Sequence, residues 1–198
     1  MSLAIVILAA GRSRRMRGTD KLAQPVDGTP LLSLVCARAQ ATGCPVWVAL
    51  PGHDHPRAAL LPAGVAPVAV RDADRGMGRS VAAAIAALPE ATGAAMILPA
   101  DMPDLTRDDL AAMIGAYGAR PDRILRATSA EGRPGHPVIF PRAFFGQLRA
   151  LGGDQGARAI LSAHPAMIDS LALPGHHALT DLDTPEDWAR WRAARDPG

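Results

Sequence analysis

The sequence predicts an α/β protein with a doubly wound, mainly parallel sheet, and three observations carry that prediction. Short apolar or β-branched runs alternate with longer Ala- and Leu-rich stretches of helical length. The first run, LAIVILA (3–9), is apolar throughout, as a strand covered on both faces must be. The segments that follow the strands hold more Gly, Asp, Arg and His than the strands, and ligands of such a sheet bind at the carboxyl ends of its strands.

After the first strand, PVWVAL (45–50), APVAV (66–70), AAMILPA (94–100) and RILRAT (123–128) read as strands. TPLLSLVCARAQAT (29–42), GRSVAAAIAAL (78–88) and TRDDLAAMIGAYG (106–118) read as helices, the last capped by Thr106 and carrying Asp108 and Asp109 in its first turn. Right-handed crossovers then make the sheet largely parallel, with helices on both faces. After residue 128 the rhythm changes. HPVIF (136–140) and a run at 167–172 read as strands, and helices are expected near 142–150, 155–163 and 185–195. Thr184 or Asp183 caps the last of these, with Pro185 at its first position. The 18 prolines and 19 glycines are spread through loops and form no linker, so one domain with an elaborated C-terminal third is expected.

Composition limits the function. A chain of 198 residues, 48% hydrophobic and 20% charged, can build a core able to support an enzyme. Its formal net charge of +2 makes any strong positive field local, which argues against a general nucleic-acid binder. Cys36 and Cys44 have no His or Cys near them at metal-ligand spacing and read as reduced core thiols. No stretch is apolar enough to cross a membrane and the N-terminus has no signal-peptide pattern, so a cytoplasmic protein without membrane contact is expected.

The stretch LAAGRSRRMRGTDKL (8–22) concentrates the positive charge directly after the first strand. It matches neither the P-loop nor the G-x-G-x-x-G pattern. Ala9, Ala10 and Gly11 are nevertheless small enough for a ligand to approach the backbone, and Arg12, Arg15 and Lys21 stand ready to neutralise a polyphosphate. A solvated basic loop is the plainer alternative. With only three Phe, three Trp and one Tyr in the chain, the cluster lacks the aromatics of a nucleic-acid surface.

In LPADMPDL, Asp101 is separated from the strand by Pro99 and Ala100, where a carboxylate is placed to hold Mg²⁺ against phosphate oxygens or simply to make a turn. In TDLDTPEDW (180–188), Glu186 and Asp187 read as helix-capping acids, while Asp181 and Asp183 remain candidates for a second metal contact. His53, His55, His176 and His177 read as exposed turn residues, and RWRAAR as a basic helix end.

The motifs LAAG-x-S-x-R-M, G-M-G-x-S, P-A-D-M-P, G-x-x-G-H-P-V, G-D-x-G-A-R and D-x-D-T-P-E-D occur in this order between Leu8 and Asp187. Together they resemble the nucleotidyltransferases that attach a nucleotide to molybdopterin, and most of all the cytidylyltransferase branch. The resemblance implies a GT-A-like, Rossmann-like nucleotidyltransferase fold, with 1–128 as the nucleotide-binding part and 129–198 on the acceptor side. It implies Mg²⁺ as cofactor, CTP and molybdopterin as substrates, and possible hand-over to a molybdoenzyme or its chaperone.

By the same resemblance, Ala9, Ala10, Gly11 and Arg12 contact the nucleotide, Arg15 and Lys21 hold its phosphates, and Asp101 ligates the metal with Asp181 or Asp183. Ser80 lies near base or ribose, or caps the following helix, and Gly76 and Gly78 let the backbone approach the ligand. His136, Asp154 and Arg158 line the acceptor side. Guanylyl-transferring relatives usually carry Gly-Gly where this chain has Ala9-Ala10 and differ at GHPV, which favours cytidine. A guanylyltransferase, a sugar- or alcohol-phosphate nucleotidyltransferase and a non-catalytic nucleotide- or cofactor-binding protein remain the alternatives.

Overall fold

The computed structural model describes residues 2–153 and 156–195. Seven strands form one sheet in the order β5-β4-β1-β6-β8-β7-β9: β1 (Leu3–Leu8), β4 (Val46–Leu50), β5 (Ala66–Ala69), β6 (Ala94–Pro99), β7 (Ile124–Thr128), β8 (Pro134–Pro141) and β9 (Ile168–Ala172). β1 pairs in parallel with β4 and β6, β4 with β5, and β7 with β9. β8 alone runs antiparallel to both its neighbours, so the sheet is mainly parallel. The remaining strands, β2 (Pro25–Val26) and β3 (Thr29–Pro30), make a separate hairpin.

Alternation along β1 sends Leu3, Ile5 and Ile7 to one face and Ala4 and Val6 to the other, and all five are buried. The first face packs on α1 (Leu31–Gln40), α3 (Arg107–Ala119) and α6 (Pro185–Arg195) through Leu32, Val35, Met113, Tyr117 and Trp188. The second packs on α2 (Met77–Ala86), α4 (Phe145–Arg149) and α5 (Arg158–Ala163) through Val81, Ile85, Leu148 and Ile160. Each large side chain so buried is worth about 1.5–3 kcal/mol. Among the described residues, no helix is long and apolar enough to cross a membrane.

The capping signals are realised. Thr106 and Asp109 exchange bonds as a capping box at α3. At α6 the Thr184 hydroxyl accepts from the Asp187 amide while the Asp187 carboxylate accepts from the Thr184 amide and hydroxyl.

The structure corrects three local expectations. The helix expected from residue 29 starts at Leu31, because Asp27 and Gly28, both at positive φ, close the β2–β3 hairpin as an Asp-Gly turn. The helix expected over 142–150 begins as a 3₁₀ turn, Arg142–Phe144, which sets Phe144 edge-on to Phe140. Cys36 is buried, its thiol pushed up to about 12 by burial, but Cys44 is only half-buried; both are free thiols.

Arg57 shapes the loop after β1. It lies in the 3₁₀ turn Pro56–Leu60, is 2% exposed, and donates to the carbonyls of Ala9 and Gly11, to Ser13 Oγ at 2.9 Å, and to both oxygens of Asp20 at 2.6 and 2.7 Å. One planar fork thereby fixes both ends of the basic stretch. Burial pushes the Asp20 carboxyl up, but hydrogen bonds from Arg57, the Leu22 amide and Ser13, with the charge of Arg57, outweigh it and hold it below its usual value.

The C-terminal third is pressed onto the sheet where side chains are missing. A Cβ on Gly135 of β8 would lie 2.0 Å from the Ala178 carbonyl oxygen, and one on Gly78 would lie 2.8 Å from that of Gly152. The amides at these contacts are used: His136 N–H donates to Ala178 and Gly78 N–H to Gly153, both at 2.9 Å.

Arg57→Met leaves two carbonyls and Asp20 without their donor and is expected to lower unfolding stability in urea by about 3 kcal/mol. Because the Asp20 pKa is depressed on folding, its stabilisation is present above its ordinary value near pH ~4 and lost as pH falls below it. Acid titration of stability should therefore be shallower in Asp20→Asn. Gly135→Ala is expected to cost about 1–3 kcal/mol in the same assay, through displacement of the segment around Ala178.

Candidate active site

The loops after β1 and β6 and the segment before α6 meet over the carboxyl ends of the central strands. Lys21 opens the 3₁₀ turn Lys21–Ala23, capped by Asp20, and its Nζ lies between two carboxylates. It donates to Asp101 and, at 2.7 Å, to Asp183. The three side chains are only 13%, 16% and 22% exposed. Burial favours the neutral amine, but the charges and hydrogen bonds of Asp101 and Asp183 prevail and hold the ammonium pKa above its usual value.

Backbone geometry produces this meeting. The amide of Leu182 donates to the carbonyl of Asp101 at 3.1 Å, so the C-terminal segment adds to the turn after β6 with Asp183 beside Asp101. From below, Arg38 of α1 donates to the carbonyls of Pro103 and Leu105 at 2.6 and 2.8 Å, and Trp191 Nε1 donates to Asp104 at 2.8 Å. Asp104 therefore anchors α6. Asp181 is exposed and lines the same cleft, without a hydrogen bond to Lys21 among the described residues. Partial desolvation and the neighbouring Asp101 and Asp183 carboxylates raise its pKa.

Two cavities share this centre. One, of 340 Å³, is lined by the backbone run Leu8–Arg12 and by Lys21, Gly76, Ser80 and Asp101. The other, of 580 Å³, runs from Arg15, Lys21, Asp101, Asp181 and Asp183 to His136 and Arg158. Ala9 and Ala10 also line the smaller cavity; each is 1% exposed, and they belong to the hydrophobic cores on opposite faces of the sheet.

Three of the four loop arginines, all but Arg14, have ion-pair partners among the described residues. Arg12 pairs with Asp74 at 3.1 Å, Arg15 with Asp183 at 2.6 Å and Arg17 with Glu186 at 2.5 Å. The arginine side chains are 57–74% exposed, so each pair is worth about 0–1 kcal/mol and exchanges readily for a phosphate.

Most residues singled out from the sequence thus line these cavities, and three stand differently from what the sequence suggested. Ser80 sits four residues into α2, whose cap is Gly76, so it is not the helix cap; it is buried and faces the smaller cavity. Gly78 packs on Gly152, so its missing side chain makes room for protein backbone and not for a ligand. Asp154 lies outside the described residues.

Sequence reasoning passed over Arg57 and Arg126. An arginine inside the short strand ILRAT was the available signal for Arg126, whereas nothing around Arg57 announced its role. Among the described residues, no group of three or more His, Cys, Asp or Glu side chains is arranged to hold a metal. His177 instead bonds Asp109 and His55 accepts from the Arg57 amide.

A divalent cation that serves a nucleotide needs no such cage, because Mg²⁺ keeps several waters and takes one or two carboxylates with the substrate phosphates. Asp101 and Asp183, already converging on a cation, fit that requirement.

The family and the fold are shared with known proteins. The chain is 31% identical over 205 residues to the purine catabolism protein PucB of Bacillus subtilis (strain 168), covering 96% of this chain and 95% of that protein. It is 36% identical over 121 residues to the bifunctional protein GlmU of Clavibacter sepedonicus, of whose length it spans about a quarter, 24%. The crystal structure of Rv0371c from Mycobacterium tuberculosis H37Rv superimposes with a TM-score of 0.84 at 28% identity, covering 96% of this chain and 97% of that one. Rv0371c is also known in complex with manganese, a structure matching at TM-score 0.80 and 26% identity over 96% of this chain and 97% of that one. The model of the MobA-like NTP transferase domain matches residues 5–168, and the chain belongs to that family of nucleotidyltransferases.

Proposed function

We propose that this protein transfers CMP from CTP to the terminal phosphate of molybdopterin and releases pyrophosphate, with Mg²⁺ as its metal. The observation that carries this reading is the position of Lys21, Asp101 and Asp183 where the two cavities join. On one side lies a small floor of backbone and methyl groups suited to a nucleoside, and on the other a cleft bearing His136 and Arg158 suited to an anionic acceptor. Support for cytidine comes from likeness in sequence, since Ala9-Ala10 stands where guanylyl-transferring relatives usually carry Gly-Gly.

In the reaction an oxygen of the acceptor phosphate forms a bond to the α-phosphorus of CTP, and the bond from that phosphorus to the β-bridging oxygen breaks. The electron pair leaves with pyrophosphate. A phosphate monoester has a second pKa of about 6, so it attacks as the dianion and needs no general base.

The protein's work is to position and neutralise. The amides around Ala10 and Gly11 approach the nucleotide, while Arg12 and Arg15 exchange Asp74 and Asp183 for its phosphates. Lys21 turns from the carboxylates to the charge that develops on the transferred and departing groups. Asp101 and Asp183 would hold Mg²⁺, which supplies charge neutralisation and polarises the phosphoryl oxygens.

Pyrophosphate release with molybdopterin and Mg²⁺ should occur with CTP in preference to GTP, ATP and UTP. Release with GTP instead would keep the reaction and overturn the base assignment, and nucleotide binding without release from any of the four would favour a non-catalytic binder. Asp101→Asn is expected to lower kcat by roughly 10³-fold, about 4 kcal/mol of barrier, with urea stability near that of the native protein. Near-normal turnover of this variant at saturating Mg²⁺ would remove Asp101 from the metal site.

A further inference from the structure

Arg126 lies in β7 opposite Val138 of β8, beside a register shift between Arg126 and Thr128. Its neighbour two residues back on the same face, Ile124, belongs to the core beneath α2, α4 and α5. On β8, His136 shares a face with Val138 and Phe140 of that same core, and Arg158 begins α5. An otherwise apolar sheet face therefore ends in two guanidinium groups and an imidazole. These three line the 580 Å³ cavity that holds Lys21 and Asp101, and also a further cavity of 780 Å³ whose walls include Ile97, Val138 and Phe140.

Among the described residues, neither Arg126 nor Arg158 forms an ion pair, although Asp101, Asp181 and Asp183 line the same cavity. The one hydrogen bond of the Arg126 side chain among the described residues runs from Nε to the Gly135 carbonyl at 3.2 Å. Burial, and then the charge of Arg158, lower the pKa of Arg126. The His136 pKa is lowered to about 4 by burial first and Arg126 second, against the pull of Asp101, so its ring is neutral at neutral pH. Its Nδ1 is buried without a hydrogen-bond partner among the described residues. This contrasts with Arg12, Arg15 and Arg17, each of which has an acid beside it. Arg126 is partly buried with no ion pair among the described residues, a cost that an anion relieves, and its planar fork together with that of the exposed Arg158 matches a dianion with several oxygens.

We propose that Arg126 and Arg158 clamp the dianionic phosphate of the acceptor, with His136 as a neutral hydrogen-bonding partner, and that the acceptor's body lies along Ile97, Val138 and Phe140. The acceptors so selected are phosphate monoesters carrying a flat or apolar group. This seat stands formed before substrate arrives, whereas the nucleotide side must first exchange its ion pairs. The assignment rests on the reading of this cleft as the acceptor side, and its test is separate from turnover.

Phenyl phosphate is titrated into the CTP-containing, Mg²⁺-free protein while the ring signals of His136 are followed by NMR, and CTP affinity is measured on the same samples. Saturable binding by the native protein should weaken about 10- to 100-fold in Arg126→Gln and in Arg158→Gln, with part recovered in Arg126→Lys. CTP affinity should stay unchanged. Equal response of the native and Arg126→Gln proteins, or no shift of the His136 signals in the native protein, would overturn the clamp. If Arg126→Gln does not fold, Arg158→Gln decides alone, since Arg158 is not part of the sheet. Failure of the native protein to bind CTP, with the phenyl phosphate pattern as expected, would sink the nucleotidyl-transfer reading and leave the clamp standing.

Discussion

The ammonium of Lys21, held between Asp101 and Asp183, ties together three segments far apart in the chain. It joins the loop after β1, the turn after β6 and the approach to α6, and around it two cavities meet. Partly buried ion pairs of this kind offer little net stability, because desolvation of each ion offsets most of their attraction. Their value is positional. Two carboxylates kept together against their repulsion mark a place built for positive charge, and Lys21 supplies it in the absence of other cations.

The arginines divide into two kinds. Arg57 is buried and its donors are all directed inward, so it is a structural element of the loop as much as any backbone hydrogen bond. Arg12, Arg15 and Arg17 are exposed and each is answered by a single acid, pairs that a polyphosphate can displace. A rigid frame under an exchangeable surface suits a loop that must admit and release a highly charged ligand.

The C-terminal third completes the site by close approach. Gly78 and Gly135 allow backbone from residues 152–153 and 178 to lie against α2 and β8. That approach brings Asp183 to Asp101 and sets Arg158 over Arg126 and His136. The strands after residue 128, β8 antiparallel among parallel neighbours, thereby add a second side to a cleft that the first six strands leave open.

The sequence by itself determined the sheet and its two covering layers, because strictly local patterns encode them: the apolar runs of β1 and β6 and the capping boxes of α3 and α6. It also marked the basic loop and Asp101, since charge directly after an apolar strand is visible in one dimension. The Asp27-Gly28 turn of the β2–β3 hairpin is an equally local signal, which the sequence reading did not use. Only the tertiary structure decided that Asp183 and not Asp181 lies on Lys21, that Ser80 is inside a helix, and that Gly78 accommodates backbone. It alone joined Arg57 to Ala9, Gly11 and Asp20, and brought Arg126 to Arg158. Those relations link residues from 32 to 162 positions apart, fixed by how strands are ordered and loops meet, and no periodicity or local spacing carries them.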